Sequence, residues 1–157
     1  MSIEPIQPYL EPIHKSVEVP IPPDRAFAVF TDDISRWWPL GKTYAIFGED
    51  SSECGIEPFV GGQIFEISAK GERCVWGRVL AWEPGQLLRF SWFPGRTEET
   101  AQTVEILFSP IPNGTRVNLE HRDWQTLGER AKDIRTGYGT GWDEVLGRMV
   151  EFARTSR

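Results

Sequence analysis

Several things are scarce in this chain. Cysteine occurs twice in 157 residues, at Cys54 and Cys74, without metal-site spacing. Two free thiols are expected. Histidine also occurs twice, at His14 and His121, with no cluster of acids beside either. No metal site and no cofactor are expected from that pattern. Basic excess is missing too. Seventeen Lys and Arg stand against twenty-three Asp and Glu, a formal charge of −6. A nucleic-acid binder carries a basic footprint, and an acidic surface disfavours anionic membranes, so neither partner is expected. No apolar run approaches the roughly 18 residues of a membrane-crossing helix. The start, MSIEPIQPYLEP, has no basic region followed by an apolar one. A secretory signal is therefore not expected, and the expected location is the cytoplasm.

Aromatic residues, by contrast, are abundant. Seven Trp and nine Phe accompany 39% apolar and 25% charged residues, a soluble globular composition rich in ring surface. Such rings fill cores, and they also line small-molecule pockets. The stretch ISRWWPLGKTYAIFGED places Trp37, Trp38, Tyr44 and Phe47 in a segment punctuated by Pro39, Gly41 and Gly48. A cavity wall would explain that placement.

The chain reads as one domain over residues 13–157, preceded by a Pro-rich arm over 1–12. Ile13, Lys15, Val17 and Val19 alternate with His14, Ser16 and Glu18, the period of a half-buried strand. Pro23 and Asp24 then suit the first turn of a helix carrying Phe27 and Phe30 on one face. A second short helix is expected over Ile34–Trp37, with Asp32 and Asp33 as cap candidates. From Cys54 to Arg122 the pattern is a β-meander of about six strands. Turns are marked by Gly61-Gly62, Lys70-Gly71, Pro84-Gly85, Pro94-Gly95 and Asn113-Gly114. Glu105, Arg116, Asn118, Glu120 and Arg122 mark its wet face. Thr126 and Glu129 fit a capping box for a helix ending at Gly137. Thr140 then caps a second one bearing Trp142, Val145, Leu146, Met149, Val150 and Ala153 at helical spacing. The expected class is α+β: a curved antiparallel sheet of six or seven strands gripping a long C-terminal helix. Two short helices close one end.

Strand parity groups Leu88, Phe90 and Trp92. With Phe108 and His121 they form the expected inner wall, with Trp38 and Tyr44 as lid and Trp142 facing them from the helix. His121 admits three readings: a satisfied core histidine, a ligand contact, or a general acid or base. Asp123 is a candidate to reach back to its ring, and Glu120 points the other way. Arg78 and Glu66 either face water or turn inward, where a buried charge needs a partner. Ser51, Ser52 and Ser91 lack a nucleophile motif, and FVGGQIF lacks a phosphate-loop lysine.

The segments AFAVFTDDISRWWP, FVGGQIFE, WGRVLAWEPGQLLRFSW, VEILFSPIPNGTRVNLEHRDW and GYGTGWDEVLGRMVEFA resemble the START-like SRPBCC superfamily. More narrowly, they resemble bacterial single-domain relatives of the activator of the heat-shock protein 90 ATPase. The likeness spans roughly residues 13–155. It implies a helix-grip fold with a hydrophobic cavity. It implies no particular catalytic set. The first expectation is non-enzymatic binding of a small hydrophobic or aromatic molecule, with Trp38, Tyr44, Phe90, Trp92, Phe108, His121 and Trp142 as ligand contacts. The alternatives are a co-chaperone-like module, whose partners would be a chaperone or a second copy, and a cyclase-, dehydratase- or hydrolase-type enzyme using His121.

Overall fold

A computed structural model describes residues 9–41 and 44–155. Residues 1–8 of the expected arm lie outside this range. The described chain forms a seven-stranded antiparallel sheet in the order β1-β7-β6-β5-β4-β3-β2. Strand β1 covers Ile13–Val19, and α1 (Pro23–Thr31) and α2 (Ile34–Trp37) follow it. The meander is β2 (Ser51–Ile56), β3 (Gln63–Ser68), β4 (Arg73–Glu83), β5 (Leu87–Trp92), β6 (Gln102–Ile111) and β7 (Gly114–Arg122). Helix α3 (Ala131–Thr155) completes the grip.

The period-two pattern of β1 is realised, with Ile13 and Val19 buried and His14, Ser16 and Glu18 exposed. Pro23 opens α1, and Phe27 and Phe30 both pack on Phe108 of β6, at 5.2 and 6.4 Å between ring centres. Thr115 Oγ1 donates to Ile21 O at 2.7 Å and pins the entry to α1 against β7. The sheet curls because its central strands are bulged. Register shifts fall between Ile64 and Phe65 and between Val79 and Ala81. A bulge bends its strand and increases local twist. Gly77 lies in this region and permits the bend: a Cβ there would sit 1.8 Å from Ser91 O.

Two expectations at the C-terminus are corrected. Trp124–Arg130 is a 3-10 segment broken at Gly128, not a capped α-helix. Thr126 Oγ1 donates to Thr100 O and Asp123 O instead of capping. Helix α3 then runs unbroken through Gly137 and Thr140. Its stripe of Ala131, Trp142, Val145, Leu146, Met149 and Ala153 is buried. That burial, at about 1.5–3 kcal/mol for each large side chain, outweighs a glycine cost of about 1 kcal/mol each.

The main core lies between the sheet, α1, α2 and the second half of α3. A smaller cluster of Ile13, Trp124, Leu127 and Ala131 sits under the first half of α3. Both cysteines are free, and burial pushes the Cys54 thiol up to about 12.

Candidate functional site

A cavity of about 300 Å³ opens between α3, the segment after α2, and the end of β5. The helix contributes Ile134, Gly137, Tyr138, Gly141, Trp142 and Val145. The post-α2 segment contributes Trp38, Tyr44, Ala45 and Ile46, and the sheet contributes Trp92 and Pro94. Among these lining residues none carries a charged side chain.

The adjacent tryptophans divide the work. Trp37 turns into the core, where its Nε1 donates to Val29 O at 2.7 Å. Trp38 turns to the cavity, and its Nε1 donates to Tyr44 O at 2.9 Å. That bond spans the segment between them and holds Tyr44 at the rim. Trp38 packs on Trp76, Trp92 and Trp142 at 5.1, 6.0 and 6.1 Å. Contacts of this kind are worth about 0.5–1.5 kcal/mol each beyond area burial. The wall is therefore a stiff ring cluster.

Four of the seven residues expected as ligand contacts line this cavity: Trp38, Tyr44, Trp92 and Trp142. Phe90 and Phe108 sit in the core, Phe90 behind Trp92 at 5.5 Å and Phe108 under α1. His121 is fully buried one layer behind the wall. Trp142 Nε1 donates to its Nδ1 at 2.9 Å. An indole N–H only donates, so the His121 proton resides on Nε2, facing Gln102 Oε1 at 3.3 Å. Desolvation, then the Arg135 charge, lower the imidazole to about 3. His121 is neutral at ordinary pH and works as a strut for Trp142. Tyr138 also packs on it, at 4.9 Å between rings. Asp123 does not reach the ring, since its Oδ2 accepts from Thr103 Oγ1 at 2.6 Å.

Of the two alternatives for Glu66 and Arg78, each residue takes a different one. Glu66 is fully buried, while Arg78 stays on the wet side and pairs with Glu98 at 2.5 Å. The Glu66 carboxylate accepts from Trp76 Nε1 (2.7 Å), Ser51 Oγ (2.9 Å), Ile46 N (2.5 Å) and Phe47 N (3.3 Å). The last two are backbone amides of the segment that forms the cavity rim. A buried carboxylate on β3 thus holds the lid segment to the sheet, and four donors replace its lost hydration.

The cavity's titratable groups are two phenols. The Glu144 carboxylate beside Tyr44 is the main cause pushing that phenol up, with burial second. Burial pushes Tyr138 up, partly offset by Trp92 and Arg96. Both remain protonated donors at neutral pH.

Sequence reasoning missed Gly137, Tyr138 and Gly141. Gly137 is exposed at the cavity mouth, and a Cβ there would meet nothing within 4 Å. A Cβ at Gly141 would lie 3.0 Å from the Tyr44 ring, so that glycine admits the lid. The signal was present: glycines at i and i+4 inside an amphipathic helix share a face. Among the described residues no helix is long and apolar enough to cross a membrane. No group of three or more His, Cys, Asp or Glu there is placed to hold a metal ion.

Residues 20–154 match the family model described as "Activator of Hsp90 ATPase homolog 1-like protein". No curated protein matches the sequence. Among solved structures, the anthrahydroquino-gamma-pyrone synthase Txn09 is similar at 29% identity and TM-score 0.64, over 91% of this chain and 97% of that one. Protein MLL2253 from Mesorhizobium loti is similar at 17% identity and TM-score 0.66, over 89% and 94% of the two chains. An Aha1 dimer from Colwellia psychrerythraea is similar at 17% identity and TM-score 0.64, over 90% and 95%. At these identities the last two speak for the fold.

Proposed function

The chain belongs to the Activator of Hsp90 ATPase homolog 1-like family, and on that premise we propose that it binds a small, mainly apolar molecule in the cavity over α3. The single observation that carries this reading is the uncharged lining, in which Trp38, Trp92 and Trp142 turn their rings to a gap open beside α3. At packing densities of about 0.5–0.75, a cavity of about 300 Å³ accepts a molecule of roughly 150–225 Å³, the size of a two- or three-ring aromatic.

Binding without turnover fits the wall. Its titratable side chains among the described residues are two phenols held protonated, and His121 is occupied at both nitrogens. General acid–base work favours a group poised near the working pH. The 29% likeness to a synthase favours a second reading, in which the cavity holds an aromatic intermediate during a cyclisation. In that reading the two phenols are the available proton donors.

Native mass spectrometry of the purified protein, followed by denaturing extraction, tests the proposal. A reproducible small organic mass, or saturable uptake of added naphthalene-sized aromatics, is expected. No retained mass and no saturable uptake would overturn it. Conversion of an added polyketide-like aromatic would favour the second reading.

A further inference from the structure

Every buried tryptophan but one uses its indole N–H. Those of Trp37, Trp38, Trp76, Trp124 and Trp142 each donate to a named acceptor. Trp92 is the exception. Its Nε1 is the one buried side-chain nitrogen or oxygen without a hydrogen-bond partner among the described residues. The side chain is 4% exposed. Leaving such a donor unmet costs about 1–3 kcal/mol. Folded proteins leave few such groups, and the exceptions mark functional places.

The place is informative. Trp92 and Tyr138 both line the cavity, from the sheet and from α3. The indole N–H faces the Tyr138 hydroxyl and acts on it as a hydrogen-bond donor does, offsetting part of the upward push of burial, but it does not reach hydrogen-bond geometry with it. Tyr138 packs on His121 and Trp124 on its other side. Tyr138 is only partly buried, and a turn of its side chain is the movement by which a ligand oxygen would reach the indole N–H. The rest of the lining is rings, aliphatic side chains and helix backbone, and the charges nearest it are already engaged with its two phenols, Glu144 with Tyr44 and Arg96 with Tyr138.

Resting on the cavity as the binding site, we infer that its ligand is a planar, uncharged aromatic bearing a carbonyl oxygen, and that Trp92 Nε1 is the donor that recognises that oxygen. The rings of Trp38, Trp92 and Trp142 meet the planar body. The Tyr138 hydroxyl stands beside the same oxygen as a second donor. A hydrocarbon of the same shape fills the cavity but leaves the indole unmet.

A matched pair of probes tests this: acetylnaphthalene and ethylnaphthalene, which differ by a carbonyl in place of a methylene. Affinities follow from quenching of the wall tryptophans, for the native sequence and for Trp92→Phe. The substitution is expected to weaken the ketone about tenfold and to change the hydrocarbon by less than about twofold. The indole N–H resonance of Trp92 in the unsubstituted protein gives a readout that does not depend on the variant folding. It should move downfield with the ketone and stay in place with the hydrocarbon. Equal losses for both probes, or an unmoved resonance on ketone binding, would overturn the inference and leave the cavity reading standing. Failure of both probes to bind the unsubstituted protein would overturn both.

Discussion

Filling Gly137 should make the protein more stable and a worse binder. The two effects have separate causes. Glycine inside a helix costs about 1 kcal/mol relative to alanine. A Cβ at Gly137 meets nothing within 4 Å, so alanine adds no clash. Gly137→Ala should therefore raise Tm by roughly 2–4 °C for a domain of this size. Gly137→Leu keeps the helix gain and adds methylenes worth about 0.8 kcal/mol each where they become buried against the ring wall. A ligand that needs the same space then meets an overpacked site, a penalty of about 1–3 kcal/mol or roughly five- to 150-fold in affinity. The assay is paired: scanning calorimetry on the three proteins, and quenching titrations with acetylnaphthalene on the same samples. Stability up with affinity down is the expected result. A fall in Tm for alanine would show that the helix needs glycine there for its own backbone. Unchanged affinity for leucine would show that the ligand does not use the space over α3. Either result refutes the reasoning.

Three further outcomes follow from named contacts. Glu66→Gln replaces an acceptor with a donor facing N–H groups, so it should cost about 2–4 kcal/mol in urea unfolding. It should also speed amide exchange at Ile46 and Phe47, the rim amides it holds; protected amides would disprove the clamp. His121 is lowered from 6.5 to about 3, so the unfolded chain binds the extra proton first. This contribution is complete above pH 6.5 and drains away as pH falls toward 3, by roughly 5 kcal/mol at most. Urea unfolding between those limits should show it, and a flat profile would show that His121 is already charged in the fold. Gly77→Ala puts a methyl 1.8 Å from Ser91 O, backbone against backbone. Loss of more than about 4 kcal/mol, or no soluble protein, is expected; a normal Tm would mean the bulge is not needed.

Most of the sheet was legible because its signals are local. Alternation in β1 and the Asn113-Gly114 turn between β6 and β7 need no knowledge of distant residues. Glu66 was not legible in the same way. Its neighbours Gln63, Phe65 and Ile67 alternate with Ile64 and Ser68, so either face of β3 reads as apolar or mixed. Only the approach of residues 46, 47, 51 and 76 supplies the donors that let a carboxylate turn inward. His121 shows the same division. Parity placed it on the covered face, which is correct. Its tautomer depends on Trp142, twenty-one residues away on another element. Phe90, Phe108 and Trp92 looked alike in sequence, since each is an inward aromatic on a central strand. What separates them is where α1 and α3 land. The first covers Phe108, and the second leaves Trp92 facing a gap.

The C-terminal helix carries the hardest ambiguity, because glycine has several meanings there. A glycine can end a helix, admit a close neighbour or leave a hole. GYGTG reads first as an ending, and that reading fails because the apolar stripe continues on both sides of it. The remaining meanings separate one residue at a time. Gly141 has a packing reason, since the Tyr44 ring sits where its Cβ would be. Gly139 faces Ile13 at 4.0 Å, ordinary contact that an alanine would also satisfy. Gly137 lines the cavity and touches nothing. It neither ends the helix nor eases a contact. At that exposed position on the cavity's edge, a glycine costing about 1 kcal/mol keeps the mouth clear. Past that mouth, Trp38, Trp92 and Trp142 present ring faces that a planar molecule can cover. The unmet indole of Trp92 in the same wall then says where that molecule should carry its oxygen.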